Sequence, residues 1–250
     1  MENSKIGVFD SGIGGVTVLK EILKIMPNED YIYYSDSKNN PYGDKTDEEI
    51  CEICDDIVRK LIKLDCKAIV IACNTASAKA VNFLREKYSD MIIIAIEPAY
   101  KMVHDFAPES ATLVMATKGT IESEKFNRLY NKYNNNKTYL LGCSGLADII
   151  EQNNTDDLKK YLKKNLSKYK NKVKNVVLGC THYPLIKQEI SDVLGDIVFF
   201  DGSKSVAKHL KEVLKEKSLL SNSNKIGCVE FIDSSKSEEK SKRFYDYLSK

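Results

Sequence analysis

The sequence predicts an α/β protein built from two similar parallel-sheet domains, related by pseudo-twofold symmetry, with a candidate active site in the cleft between them. Short apolar runs typical of buried strands alternate with amphipathic stretches of helical period along the chain, which favours parallel sheets covered by helices. At 250 residues the chain can form two cores. Two cysteine segments of the same layout, one in each half, indicate an internal repeat.

In the first half of the chain, strands and helices follow one another in pairs. The predicted strands are "KIGVFD", "DYIYYSD", "KAIVIA" and "MIIIAI". The predicted helices that follow them are "GGVTVLKEILKIM", "TDEEICEICDDIVRKLIKL", "TASAKAVNFLREKY" and "AYKMVHDF". Thr46 and Glu49 have the spacing of a capping box, which predicts where the second helix begins.

The second half repeats this alternation. Its predicted strands are "ATLVMAT", "KTYLLGC", "KNVVLGC", "DIVFFD" and "IGCVEFID". Its predicted helices are "SEKFNRLYNKY", a segment from about residue 155, "YPLIKQEISDVL", "SVAKHLKEVLKE" and "EEKSKRFYDYLSK". "NKYNNNK" and "SLLSNSNK" are predicted loops. We expect residues 1–96 and 209–250 to form the domain that carries Cys73, and residues 97–208 the domain that carries Cys180.

The composition is that of an ordinary globular protein and excludes several function classes. Hydrophobic residues make up 42% of the chain and charged residues 30%, with a net charge of +2, so a nucleic-acid surface is not expected. The lysine-rich run "LKKYLKKNLSKYKNKVK" is interpreted as a solvated helix face. No apolar run reaches the ~20 residues of a membrane span, and no signal peptide is apparent, so we expect a cytoplasmic protein.

Two cysteines stand at the ends of predicted strands, in "KAIVIACNTASAKAV" and "KNVVLGCTHYPLIKQ". In each segment a basic residue and a β-branched strand precede the cysteine, and a polar residue and a helix follow it, so Cys73 and Cys180 are equivalent. Thiols at helix N-termini have lowered pKa values, and His182 could lower that of Cys180 further or hold the proton. Two such thiols on opposite faces of one carbon could invert a stereocentre by removing a proton from one side and returning it from the other.

The remaining cysteines and histidines are interpreted as structural. Seven cysteines is an odd number with irregular spacing, which disfavours a disulfide framework. Cys51 and Cys54 form a CxxC inside a strong helix with no second ligand pair, so packing is expected rather than zinc. Core, strand-end or helical positions without partners are expected for the other five: Cys66, Cys143, Cys228, His104 and His209.

The glycine-rich loop "DSGIGG" follows the first strand but is neither GxGxxG nor a Walker motif. Its glycines, Gly12, Gly14 and Gly15, are expected to allow a tight turn against a ligand. Asp10 could assist a thiol or orient a cation, and Ser11 is a candidate helix cap.

A second turn signal, "NNPYGDK", follows the second strand. Pro41 and Gly43 are expected to shape the turn, and Tyr42 could line a cleft.

Six motifs, in order, resemble those of glutamate racemases of the cofactor-independent aspartate/glutamate racemase superfamily. They are "GVFDSGIGGVTVL", "PYG", "ACNTASA", "IEPA", "TKGTI" and "LGCTHYPLI", and they extend over nearly the whole chain. The resemblance implies two α/β domains with the active site between them, and no pyridoxal phosphate, metal or other cofactor. It also implies a homodimer that makes D-glutamate for bacterial peptidoglycan.

The same resemblance implies roles for individual residues. Cys73 and Cys180 are the two proton donors and acceptors, one for each enantiomer, with Asp10 assisting Cys73 and His182 assisting Cys180. The residues implied to bind substrate are Asp10, Ser11, Tyr42, Gly43, Asn74, Thr75, Thr181 and His182. Glu151 and Thr117 are auxiliary candidates.

The chain departs from the family pattern in two places. Asn39 stands where the family usually has arginine, and "CSGLADIIE", residues 143–151, replaces a "CPLFVPLVE"-like segment. Both departures lie near the expected cleft wall or dimer surface and bear on substrate preference and subunit geometry.

Three other interpretations stay open at this point. The substrate could be aspartate or another acidic amino acid. Cys180 and His182 could be the core of a cysteine-nucleophile hydrolase, although Cys73 then has no task and no third group is evident. The chain could also be an amino-acid-binding protein or a thiol redox module, which would need thiols close enough to join.

Overall fold

A computed structural model describes residues 4–249, which form nine β-strands. In chain order these are β1 (Lys5–Asp10), β2 (Tyr31–Ser35), β3 (Cys66–Ile71), β4 (Ile92–Ala95), β5 (Thr112–Ala116), β6 (Thr138–Gly142), β7 (Asn175–Gly179), β8 (Val198–Phe200) and β9 (Val229–Asp233). They make a five-stranded sheet of order β4-β3-β1-β2-β9 and a four-stranded sheet of order β6-β5-β7-β8. Every pairing in both sheets is parallel.

The two sheets repeat one topology. Without β9, the first sheet has the order β2-β1-β3-β4, which matches β6-β5-β7-β8 strand for strand. β3 and β7, the strands that lead into Cys73 and Cys180, therefore occupy equivalent positions. The predicted fold class, two parallel-sheet α/β domains, is confirmed.

Helices connect the strands. In chain order they are α1 (Val16–Ile25), α2 (Asp47–Lys63), α3 (Asn74–Lys87), α4 (Tyr100–Phe106), α5 (Lys118–Ile121), α6 (Glu124–Tyr133), α7 (Leu146–Glu151), α8 (Thr155–Leu166), α9 (Lys187–Leu194), α10 (Ser203–Glu216) and α11 (Glu238–Ser249). The capping box before α2 is confirmed, because the Glu49 amide donates to Thr46 Oγ1 at 3.2 Å and the Thr46 amide donates to Glu49 Oε2 at 2.8 Å.

Both faces of each sheet are covered, which is why the strands are apolar along their whole length. On the first sheet, α1, α10 and α11 pack on one face, while α2 and α3 pack on the other. On the second sheet, α7, α8 and α9 cover one face, and α4 and α6 cover the other. The lysines of α8 are exposed and its leucines buried, so this run is the solvated helix face that was expected.

The structure differs from the local expectations in two respects. The helix expected over "YPLIKQEISDVL" is a 3₁₀ turn, Tyr183–Ile186, followed by α9, and the turn contains Pro184, which has no N–H to donate. The short helices α5 and α7 were not predicted, since four and six residues are too few to show a helical period.

Residues 1–3 and 250, which the expected first domain and last helix include, lie outside the described part of the chain. Within residues 4–249, none of the helices combines the length and the apolar character needed to cross a bilayer.

Candidate active site

The carboxyl ends of strands from both sheets border one pocket with an empty volume of about 550 Å³. Such edges are where α/β proteins bind ligands. Ten of the residues named from the sequence line it: Ser11, Tyr42, Gly43, Cys73, Asn74, Thr75, Thr117, Cys180, Thr181 and His182. The other two lie directly behind the residues that line the pocket: Asp10 contacts Thr181, and Glu151 contacts His182.

Cys73 caps the N-terminus of α3. Its Sγ accepts a hydrogen bond from the Ala76 amide at 3.5 Å, and its thiol donates to the Ser11 hydroxyl at 3.8 Å. Burial nevertheless raises the pKa of Cys73 to about 12, and the nearby Asp10 carboxylate adds to this effect. The expectation of a lowered pKa at this thiol was wrong, because burial outweighs the hydrogen bond from the helix terminus. Cys73 is a neutral thiol in this structure.

Cys180 follows β7 and stands beside His182, whose Nδ1 lies 3.7 Å from Cys180 Sγ. The other ring nitrogen, Nε2, is 2.6 Å from Glu151 Oε1. Cys180, His182 and Glu151 therefore form a continuous buried line. The two cysteines are not equivalent in local structure, since Cys180 precedes a 3₁₀ turn whereas Cys73 caps a long α-helix.

The contact between His182 and Glu151 favours the ionised form of both side chains. Burial lowers the pKa of His182, but hydrogen bonds to Cys180 and Glu151 more than compensate and raise it well above its ordinary value. Burial opposes ionisation of Glu151 as well, yet His182 and the Ile13 amide, which donates to Oε1 at 2.7 Å, hold its pKa below the usual range. His182 is thus a cation that directs Nδ1–H toward Cys180.

Asp10 is fully buried and organises the loop that follows β1. Its Oδ2 accepts from the amides of Gly12 at 3.3 Å and Gly15 at 3.0 Å, and Thr181 Oγ1 donates to Oδ1 at 3.2 Å. Burial raises the pKa of Asp10. These bonds take the place of the cap expected from Ser11, because α1 has no side-chain cap at its N-terminus. Asp10 acts on Cys73 through its charge.

The glycines of "DSGIGG" are required by close approach to other side chains. A Cβ on Gly12 would lie 2.1 Å from Glu151 Oε1, and one on Gly14 would lie 2.6 Å from His182 Nδ1. Gly12 and Gly14 thus leave room for the Glu151–His182 pair, whereas Gly15 leaves room for Tyr33 and Asp10. A tight turn against a ligand stays a prediction.

The predicted substrate-binding side chains differ in how many of their polar atoms are hydrogen-bonded to other protein groups. Both amide atoms of Asn74 are buried without a hydrogen-bond partner among the described residues. Thr75 Oγ1 is 2.9 Å from Thr117 Oγ1. The Tyr42 hydroxyl donates to Asp36 at 2.7 Å, so it is directed away from a ligand. Among these predicted residues, Asn74 is the one whose buried side-chain polar atoms have no partner within residues 4–249.

Sequence reasoning missed a polar contact across the cleft. Asn40 Nδ2 donates to Asp148 Oδ1 at 2.9 Å, and both residues line the pocket. They lie in or next to the two segments that depart from the family pattern, and that departure was the available signal. The Asn39 amide donates to Asp36 instead, at 2.9 Å.

The other cysteines take no part in disulfides. All seven are free thiols, and Cys51 and Cys54 belong to the packing of α2, as expected. Within the described range 4–249, no group of three or more His, Cys, Asp or Glu residues is arranged to bind a metal ion. Cys143, expected in the core or at a strand end, is buried and also lines the pocket.

Comparisons with known proteins agree on one family. The Asp/Glu/Hydantoin racemase model matches residues 6–210. A glutamate racemase of Clostridium perfringens is 44% identical over 239 residues, which cover 94% of this chain and 92% of the relative.

Two solved structures are similar over almost the whole chain. Glutamate racemase of Francisella tularensis in complex with D-glutamate is 32% identical with a TM-score of 0.84, covering 100% of this chain and 95% of that one. Escherichia coli glutamate racemase in complex with L-glutamate and the activator UDP-MurNAc-ala is 27% identical with a TM-score of 0.84, covering 97% and 95%. The resemblance inferred from the six motifs is confirmed. The chain is an isomerase that belongs to the Asp/Glu/Hydantoin racemase family.

Proposed function

We propose that this protein interconverts L- and D-glutamate by moving the Cα proton between Cys73 and Cys180. One observation carries the proposal: two free thiols, each at the end of the equivalent strand of a different sheet, line one pocket. A substrate between them presents opposite faces of Cα to the two sulfurs. Removal of the proton by one thiolate and delivery by the other thiol inverts the centre.

The protonation states suggest which thiol acts first. Cys73 is a neutral thiol, since its pKa is raised to about 12, so in this state it is the proton donor. Cys180 is then the acceptor, and the His182 cation beside it balances the charge that a thiolate carries. After one turnover the roles are exchanged, and the Asp10 carboxylate near Cys73 is the group placed to assist the return.

The Cα proton is far less acidic than a thiol, so the carbanion-like transition state must be stabilised by preorganised donors in a closed site. The unpartnered amide of Asn74 supplies such a donor. Thr75 adds a hydroxyl, whereas Thr181 donates its own hydroxyl to Asp10 and lines the remaining wall together with Ser11 and the Tyr42–Gly43 turn. Thr117 supports Thr75 as an auxiliary residue.

Glutamate is favoured over aspartate because the similar solved enzymes contain D-glutamate in one case and L-glutamate in the other. The substrate preference of this chain is a proposal, since Asn40 and Asp148 give its pocket a polar contact that the family pattern does not predict. Aspartate is the runner-up.

Cys180, His182 and Glu151 also have the composition of a hydrolase triad, and Glu151 is the third group that the sequence did not reveal. A hydrolase leaves Cys73 without a task in the same pocket. The two-base isomerase uses both thiols, and we prefer it for that reason.

The resemblance supports the wider proposals. These are a cytoplasmic homodimer that supplies D-glutamate for peptidoglycan, needs no cofactor and binds no nucleic acid. We also propose the division into residues 1–96 with 209–250 and residues 97–208, with one change. Because α10 begins at Ser203 and packs on α1 with its apolar face, the whole of α10 belongs to the first domain.

The test is incubation with L-glutamate in D₂O, with Cα deuterium followed by NMR and optical activity by circular dichroism. Racemisation with exchange is expected. Cys73→Ala and Cys180→Ala should each abolish inversion. Cys66→Ala, at the start of the strand that ends before Cys73, is the matched control and should retain it. A folded wild-type protein that neither exchanges nor racemises glutamate would refute the proposal, and exchange with aspartate alone would change the substrate.

A further inference from the structure

The C-terminal helix α11 contacts the candidate site from outside. The Arg243 guanidinium donates hydrogen bonds to two backbone carbonyls at the end of α7, those of Glu151 and of Ile150, the latter at 3.2 Å. Carbonyls at a helix C-terminus lack intrahelical partners and favour a cation. Arg243 therefore fixes the backbone of the residue whose side chain contacts His182.

Arg243 is itself held in place by its neighbour. Phe244 is fully buried, with its ring centroid 4.6 Å from that of Tyr33 and 4.4 Å from that of Phe231. The Tyr33 hydroxyl donates to the Gly12 carbonyl at 2.8 Å. The packing of Phe244 on Tyr33 thus connects α11 to the glycine-rich loop that packs on the Glu151–His182 pair.

A second residue of α11 approaches the Glu151 carboxylate. Lys240 Nζ is 3.9 Å from Oε2, an oxygen that has no hydrogen-bond partner among the described residues. Besides Arg243, the charged and titratable groups near the His182–Glu151 pair are Asp10, Tyr33, Cys180, Lys240 and Asp148, which lies one turn before Glu151 in α7. α11 holds Glu151 at both its backbone and its side chain.

We propose that Arg243 is a positioning residue, which by fixing the Glu151 backbone sets the position of His182 beside Cys180. The consequence for catalysis rests on the function proposed above. The separation of 3.7 Å between His182 Nδ1 and Cys180 Sγ is near the outer limit for a hydrogen bond to sulfur, so a small displacement of Glu151 is enough to weaken it.

The test compares Arg243→Gln with Lys242→Gln, an exposed neighbour on the same helix, and with Arg243→Lys. For Arg243→Gln we expect kcat for glutamate to fall about tenfold, or about 1.4 kcal/mol, with KM within about twofold of wild type. Lys242→Gln should match wild type. Arg243→Lys should recover part of the loss, because an ammonium group can still donate to one of the two carbonyls.

NMR titration of the His182 imidazole gives a readout that does not depend on activity. In Arg243→Gln and, to a smaller extent, in Arg243→Lys, the midpoint of His182 should move down, because a displaced Glu151 stabilises the cation less. An unchanged His182 midpoint together with wild-type kcat in both variants would overturn the inference, as would an equal loss of kcat in Lys242→Gln. A wild-type protein that does not racemise glutamate would defeat the proposed function alone, and the His182 midpoints would still decide the positioning role.

Discussion

Adding a single methyl group at Gly14 should separate His182 from its partners. In Gly14→Ala the new Cβ would meet His182 Nδ1 at 2.6 Å and its Cε1 and Cγ at 2.7 Å. Non-bonded carbon atoms need about 3.5 Å, so the ring must move by close to 1 Å. It is held between Glu151 at 2.6 Å and Cys180 at 3.7 Å, and this movement breaks at least one of the two contacts.

The magnitude follows from that displacement. Overpacking a full interior costs about 1–3 kcal/mol of stability, and a 1 Å misplacement of a catalytic group costs about 100-fold in rate. We therefore expect Gly14→Ala to lower kcat for glutamate about 100-fold and to lower the free energy of unfolding by about 2 kcal/mol. The rate loss should exceed what the stability loss explains, since the folded fraction at 25 °C stays near one.

Circular dichroism of glutamate measures the rate, and urea unfolding measures the stability. Gly142→Ala is the matched control, because its Cβ would meet the atoms of Lys118 at ordinary distances of 3.6–4.0 Å. It should change kcat by less than twofold. A Gly14→Ala variant with wild-type kcat would show that the approach of this loop to His182 is not needed, and would refute the reasoning.

Three further predictions concern binding, pH and stability. Asn74→Ala should raise KM for glutamate about tenfold without lowering Tm, because the buried amide has no protein partner to lose; a fall in Tm with unchanged KM would contradict its role. Glu151→Gln should destabilise the protein by about 3 kcal/mol. The loss of stability should be largest between pH 4.5 and pH 6.5, which are the ordinary pKa values of glutamate and histidine side chains. Because the pKa of His182 is raised, its contribution to folding stability is complete below pH 6.5 and is lost as the pH rises through the folded-state pKa. Because the pKa of Glu151 is lowered, its contribution is present above pH 4.5 and is lost as the pH falls through the folded-state pKa. Urea unfolding of the wild type and the variant at several pH values measures the difference between their free energies of unfolding. A difference that does not change with pH would contradict the prediction. Thr46→Ala should cost about 1 kcal/mol and lower Tm by about 2–4 °C, because the side-chain cap of α2 is lost; an unchanged Tm in a thermal scan would contradict the capping box.

Much of the fold follows from local pattern. Apolar runs alternating with amphipathic helices require parallel sheets covered on both faces, and the repeat around Cys73 and Cys180 corresponds to the shared strand order. The pattern was less informative where elements are short. α7, with six residues, carries Glu151 and Asp148 but shows no helical period.

In the candidate site, too, some features could be predicted from local sequence and others could not. Strand ends, small residues and the two cysteines are visible in the sequence, because each depends on neighbours a few positions away. The sequence thus determined by itself the sheet architecture, the two thiols and the loops that surround them.

Tertiary structure decided the protonation states and the positions of those groups. The high pKa of Cys73 comes from burial, which outweighs the helix terminus that the sequence showed. The contact of His182 with Glu151 joins residues 31 positions apart, and that of Arg243 with the Glu151 carbonyl spans 92. Protonation and positioning depend on distance and on exclusion of water across the two sheets, and neither quantity exists until the chain has folded.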